Sequence, residues 1–326
     1  DVTQVQFVHK TDEDIMIHVN TGYGIGGNEG IHLVVTTNTA VTFYNNESHF
    51  ESITIPEDIE VEFNHQLRIY STIHNYHIVR FVPDVYSQGR TVVFGDIINE
   101  GTIEGDFILG PKPNSIDTRF VNNGVITSSI RISEDIAFSE ESKFDVSFSA
   151  LSRVNIGLKS DAHFTQLHNT VLYSPEDTFI NLWVESLGNI NGSDNITLII
   201  TGNTHLNFFN GEEVTFRKIY IPETVNVTYS SYVPITGDFI NLGTIEKVGD
   251  LNYTINFLGN VYNAGTLTGN FALQSTSQTP KIIINAGTIT GSFRLLSDII
   301  LDPSSFPNIE ISSSGTTPAT LYITKD

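Results

Sequence analysis

Cysteine is absent from this 326-residue chain. Structural disulfides, thiolate nucleophiles and cysteine-bearing zinc sites are excluded with it. Basic residues are scarce: 16 Lys and Arg stand against 37 Asp and Glu, for a net charge of −21. A chain of that sign lacks the cationic patches that nucleic acids and anionic membrane surfaces require. No apolar run reaches the roughly 18 residues of a spanning helix, so no membrane insertion is expected within this chain. Helix signals are missing too, with no capped amphipathic stretch of a dozen residues. SEDIAFSEESK (133–143) is expected to form at most one helical turn, or a loop.

What the chain does have is repetition. Residues 31–45, IHLVVTTNTAVTFYN, are answered by residues 196–210, ITLIITGNTHLNFFN, with seven of fifteen positions identical. FESITIPEDIEVEF (50–63) is answered by 216–229, FGDIINEGTIEGDFIL (94–109) by 258–273, and GVITSSIRISEDI (124–136) by 287–299. Four matches in one order, offset by 163 to 166 residues, mark 1–163 and 164–326 as two homologous halves, expected to form one continuous solenoid.

A shorter period runs inside the halves. Asn-x-Gly recurs at Asn99-Gly101, Asn122-Gly124, Asn241-Gly243, Asn263-Gly265 and Asn285-Gly287, with Gly-to-Gly steps of 23, 22 and 22. Between these motifs apolar residues alternate with period two, as in Phe107/Leu109 and Phe271/Leu273, the mark of half-buried strands. Gly and Asn tolerate positive φ, so they are expected at sharp corners. Strand, corner and strand closing every 22 or 23 residues describe a right-handed parallel β-helix, about seven coils per half, with the asparagines stacked as a ladder. The competing all-β architecture is two tandem β-sandwich domains, which would not repeat one corner chemistry at a fixed step.

The strings NAGTITGSF (285–293), INEGTIEGDF (98–107) and VNNGVI (121–126) resemble the repeats of microbial surface β-helices. They look like those of two families: the passenger regions of bacterial autotransporter adhesins, where Asn-x-Gly-Thr-Ile strings are frequent, and the hyphally regulated cell-wall adhesins of yeasts, which carry Asn-Asn-Gly-Val-Ile strings. The resemblance implies a secreted or cell-surface β-helix with an adhesive role. It carries no ligand-binding residue over.

Several stretches could carry chemistry. β-Helical polysaccharide hydrolases need clustered carboxylates, and the nearest local pair is Glu104 and Asp106, expected on one outward strand face. The glycine-rich Gly22–Gly27 has no following Lys-Ser/Thr and reads as a flexible turn, as does its counterpart 187–192. No cofactor and no metal is expected. Calcium is the one ion that acidic turns at Thr11–Asp14 and Pro56–Asp58 leave open. Residues 63–90 form a cationic, aromatic island in an acidic chain. Its Arg68, Tyr70, His74, Tyr76, His77, Arg80, Tyr86 and Arg90 are the ligand-binding candidates, because Arg and Tyr favour interfaces and sugar contacts.

These readings converge on a non-enzymatic adhesin-like domain that recognises a glycan or a protein on another surface. The alternatives are a polysaccharide-degrading hydrolase or lyase on the same scaffold, and a structural fibre or coat subunit that self-associates end to end through open strand edges.

Overall fold

A computed structural model describes residues 5–8, 14–20, 22–64, 66–82, 90–127, 130–209, 212–249, 254–274, 281–296, 299–301, 311–312 and 321–323. The described residues form parallel sheets wound as a β-solenoid of about thirteen turns. The chain divides into two compact units, Asp1–Ser160 and Asp161–Asp326.

The first unit opens with β1 (Val5–Gln6), β2 (Ile15–Val19) and β3 (Gly22–Gly26). Five strand triplets follow. They are β4 (Ile31–Val35), β5 (Thr39–Phe43) and β6 (Glu47–Ser48); β7 (Ser52–Ile55), β8 (Glu60–Asn64) and β9 (Arg68–Ile69); and β10 (Thr72–Asn75), β11 (Ile78–Val82) and β12 (Val92–Val93). The last two are β13 (Ile97–Asn99), β14 (Thr102–Glu104) and β15 (Ile108–Leu109), then β16 (Phe120–Asn122), β17 (Val125–Ile126) and β18 (Ile130–Ile132). The unit ends with β19 (Ile136–Ala137) and β20 (Val146–Gly157). The first members of the triplets form one parallel sheet, the second members another, and the third members a third.

Alternation decides which side chains face in. In the first sheet Leu33, Ile53, Ile73, Ile97 and Phe120 lie in register and are all buried. In the third, Ser48, Ile69, Val93, Leu109 and Ile132 do the same. Phe63, Phe81 and Phe107 follow one another inside at ring separations of 5.5 and 4.6 Å. Each apolar side chain among them contributes about 1.5–3 kcal/mol by leaving water, and each coil finds that cover only on its neighbours.

The second unit repeats the arrangement. Its strands begin with β21 (Ala162–Tyr173), β22 (Ile180–Asn191), β23 (Ile196–Ile200), β24 (Thr204–Leu206) and β25 (Val214–Ile221). Leu198, Ile219, Phe239, Val261 and Ile283 form its matching buried ladder.

The asparagines of the short repeat are buried and amide-linked. Asn75 Nδ2 donates to Asn99 Oδ1 at 2.7 Å, and Asn99 Nδ2 to Asn122 Oδ1 at 2.7 Å. In the second unit Asn241 donates to Asn263 at 2.7 Å and Asn263 to Asn285 at 2.6 Å. Asn75 is a rung that the Asn-x-Gly pattern misses, because His77 stands where the later coils have glycine.

The corner glycines need correcting. Gly101, Gly124, Gly243, Gly265 and Gly287 are not in the left-handed region. A Cβ on each would lie 1.9–2.2 Å from a backbone carbonyl oxygen of the coil before it. They are glycines because corner backbone packs on corner backbone. Left-handed φ belongs to the second glycine of the motif, at Gly105 (84°), Gly269 (137°) and Gly291 (115°).

Three other expectations are corrected. Gly22–Gly26 is strand β3, and 187–191 lies inside β22, not in turns. Their glycines make room for rings: a Cβ on Gly27 would meet the Phe50 ring at 2.1 Å, and one on Gly188 the His168 ring at 2.3 Å. Residues 133–143 are not only a turn and loop: Ile136–Ala137 is a strand paired with Ile156–Gly157, with Ile136 buried, and the single turn at 139–142 closes with the Ser142 N–H donating to the Ser139 carbonyl at 3.1 Å. Glu104 and Asp106 do not share one strand face, since β14 ends at Glu104 and Gly105 turns the chain. No helix among the described residues is long and apolar enough to cross a membrane.

Candidate functional site

The site begins with a strand that is not made. Between β3 and β4 the chain turns within Gly27–Gly30 and adds nothing to the third sheet. The next coil, by contrast, passes through residues 44–51 and forms β6 on the way. Among the described residues β6 therefore starts the third sheet, paired with β9 in register Glu47↔Arg68 and Ser48↔Ile69. Where the earlier coil cuts the corner, a groove of 840 Å³ opens.

Aromatic residues line one side of it. Ser48, Ile69 and Val93 point inward, so the residues after them, His49, Tyr70 and Phe94, fall outside at the same corner of successive coils. His49 stacks on Tyr70 at 4.8 Å and 7°, and Tyr70 on Phe94 at 5.0 Å and 11°. Gly110 follows Phe94, and a Cβ there would lie 2.6 Å from the ring. The stack is thus closed at Phe94 and ends at His49, whose side chain is 53 % exposed.

The other walls are polar. Asn28 and Glu29 of the short turn, Glu51 and Thr72 beside the stack, and Lys112, Pro113 and Asn114 of the loop after β15 complete the groove. Lys112 Nζ is held by Asp96 at 2.8 Å, and Asp96 also accepts the Arg119 N–H at 2.8 Å. That anchor fixes the loop as a wall and neutralises its cation, leaving Glu29 and Glu51 to set the sign of the groove. An aromatic stack edged by carboxylates, amides and a hydroxyl suits a ligand with both an apolar face and many hydroxyls.

Of the eight sequence candidates, Tyr70 lines this groove. The other described candidates are spread around the coil. Arg68 pairs with Glu47 at 3.3 Å on the third sheet. His74 faces out from the first sheet, between Thr54 and Ile98. Tyr76 and His77 make the corner after Asn75, where the His77 N–H donates to Asn75 Oδ1 at 3.3 Å. Arg80, on the second sheet, lies between Glu60 and Glu104 at 2.7 Å each, and those bonds raise its already high pKa further. Arg90 reaches Asp106 at 3.5 Å. Tyr86 lies outside the described residues. Glu104 and Asp106 are thus each engaged by an arginine. Among the described residues no group of three or more His, Asp or Glu is placed to hold a metal ion. Of the acidic turns weighed for calcium, Thr11–Glu13 also lies outside the described residues.

His49, Glu51, Asn28, Glu29 and the 112–114 wall escaped the sequence reading. A signal existed: His49, Tyr70 and Phe94 recur at 21 and 24 residues, close to the coil period, each directly after an inward position.

His74 gives a pH prediction. Burial, with Arg119 and His32 nearby, pushes its pKa below the ordinary value, while Asp96 opposes. The unfolded chain then binds more protons below pH ~6.5, so stability is lost as pH falls through that value toward the folded pKa. His74→Gln is expected to shrink the drop in melting temperature between pH 7 and pH 5.5. Parallel thermal scans at the two pH values check it.

Compared with known protein families, curated proteins and solved structures, the chain matches none.

Proposed function

We propose that this chain is a non-enzymatic, adhesin-like binding module of a cell surface or secreted protein, and that it holds a glycan in the groove beside His49 and Tyr70. The observation that carries the reading is the stack that ends at an exposed ring inside a groove edged by Asn28, Glu29, Glu51 and Asn114. A sugar ring has one face of C–H groups and a rim of hydroxyls. The first packs on aromatic surface and the second bonds to carboxylates and amides. Glu29 and Glu51 favour neutral over anionic sugars.

A glycan and polysaccharide array with the purified chain, assayed for released product on every hit, tests this. His49→Ala and Tyr70→Ala are expected to weaken binding tenfold or more, about 1.4 kcal/mol. Arg80→Ala is expected to leave it unchanged, because that guanidinium is held between two glutamates on another sheet. Released oligosaccharide would replace this reading by the polysaccharide-degrading one. Absence of any binding would sink it in favour of a structural or protein-binding role.

A further inference from the structure

The two units make the same short turn, at 27–30 and 192–195, and in the second a side chain bridges the strand edge beside it. In the first unit Ile25 pairs with Phe43; in the second Ile190 pairs with Phe208. A Cβ on Gly27 would meet the Phe50 ring at 2.1 Å, and one on Gly192 the Phe216 ring at 2.2 Å. Between these matched points Gly26 corresponds to Asn191, and Glu47–Ser48–His49 to Glu213–Val214–Thr215.

The Asn191 side chain bridges its strand edge. Its Nδ2 donates to the Glu213 carbonyl at 3.0 Å, and its Oδ1 accepts the Thr215 N–H at 2.8 Å and the Gly192 N–H at 2.8 Å. One carboxamide thus satisfies a carbonyl and an N–H two residues apart. In the first unit the corresponding groups are the Glu47 carbonyl and the His49 N–H. The Ser48 carbonyl accepts the Tyr70 N–H at 3.0 Å. Successive residues of a parallel strand turn their polar groups to opposite sides, so those of Glu47 and His49 point away from β9, and His49 lines the groove. Gly26 has no side chain with which to meet them.

We infer that the strand edge at Glu47 and His49 is the polar anchor of the groove, and that it takes two adjacent hydroxyls of a neutral sugar in the place that the Asn191 carboxamide occupies in the second unit. This rests on the glycan reading above. A hydroxyl both donates and accepts, so one of the pair bonds to the Glu47 carbonyl while its neighbour accepts the His49 N–H. An extended peptide could also bond to such an edge. β6 is only two residues long, however, and the turn before it holds Asn45 and Asn46 at φ 53° and 60°. The edge is too short to template a strand.

The test is Gly26→Asn, which installs the second unit's solution in the first. The position accepts a side chain: a Cβ would meet the Tyr44 Cβ at 3.4 Å and the Gln6 Cγ at 3.5 Å, and φ is outside the left-handed region. The probes are the methyl glycosides of glucose, galactose and mannose, with the monodeoxy forms of whichever binds, titrated calorimetrically and by amide NMR. Gly26→Asn is expected to keep the wild-type circular dichroism and lose binding tenfold or more. Deleting either of two adjacent hydroxyls is expected to do the same. In the wild type the His49 amide proton is expected to shift on saturation. Wild-type affinity in Gly26→Asn, or an unmoved His49 amide, overturns this inference while leaving the glycan reading intact, provided His49→Ala still loses binding. Failure of the wild type to bind any array glycan or glycoside overturns both. Capture of an extended peptide at the edge overturns the sugar assignment.

Discussion

Gly265→Ala is expected to destabilise the second unit by about 3 kcal/mol or more. The added methyl would lie 1.9 Å from the Gly243 carbonyl oxygen and 2.6 Å from the Leu242 carbonyl. Neither is the end of a flexible side chain. Both belong to a corner already fixed by its own bonds: the Ala264 N–H donates to the Asn241 carbonyl at 2.8 Å and the Thr266 N–H to the Gly243 carbonyl at 2.8 Å. Relief requires the coils to separate, which would uncover the buried Val261 and Leu267 on either side. Gly249→Ala is the control. Its φ is 83°, but the nearest atom to a new Cβ is 3.9 Å away, so only conformational strain of about 1–2 kcal/mol is expected. Urea unfolding followed by far-UV circular dichroism checks both. Equal losses would mean that corner packing is not what selects glycine.

The second large effect is expected at Asn263→Asp, again about 3 kcal/mol or more at pH 7. One carboxylate oxygen can still accept from Asn241, as Asn263 Oδ1 does at 2.7 Å. The other would stand where Nδ2 now donates to Asn285 Oδ1 at 2.6 Å, setting oxygen against oxygen in a buried place. Protonation repairs the contact, because a carboxylic acid can donate. The folded-state pKa of this Asp is therefore raised above its unfolded value of about 3.9. The folded state then holds the extra proton, so stability declines as pH rises from about 4 through the raised pKa. Urea midpoints of the variant at pH 4 and pH 7, each relative to wild type, should differ, with the deficit larger at pH 7. Asn263→Leu should lose stability by the same amount at both.

Much of the architecture was legible because its constraints are local and repeated. A parallel coil forces the same inward places to be apolar, and its corners to be glycine and asparagine, so Asn99, Asn122, Asn241, Asn263 and Asn285 announce themselves by spacing. Asn75 did not, since His77 breaks the pattern while the rung still forms. The binding groove was harder to read. It is made by a strand that coil geometry calls for and residues 27–30 omit, and by a loop at 112–114 that returns along the corner from three coils away. Charge and aromatic content drew attention to 63–90, yet Arg68, Arg80 and Arg90 face carboxylates on neighbouring coils. A cationic stretch in a solenoid is one stripe around the coil, and its partners lie above and below it. Comparing the two copies position by position, Gly26 against Asn191, would have pointed closer to the site than composition did.

Register in this fold is kept by side chains and not by chain length. From Leu33 to Ile53, Ile73, Ile97 and Phe120 the steps are 20, 20, 24 and 23 residues, yet all five stay aligned and buried. The surplus is expelled at the corners, as in 110–117, where Ile116 is 90 % exposed. The corners are thus free text between fixed rhymes. New segments can be written into them, and old ones edited, while every coil above and below still scans.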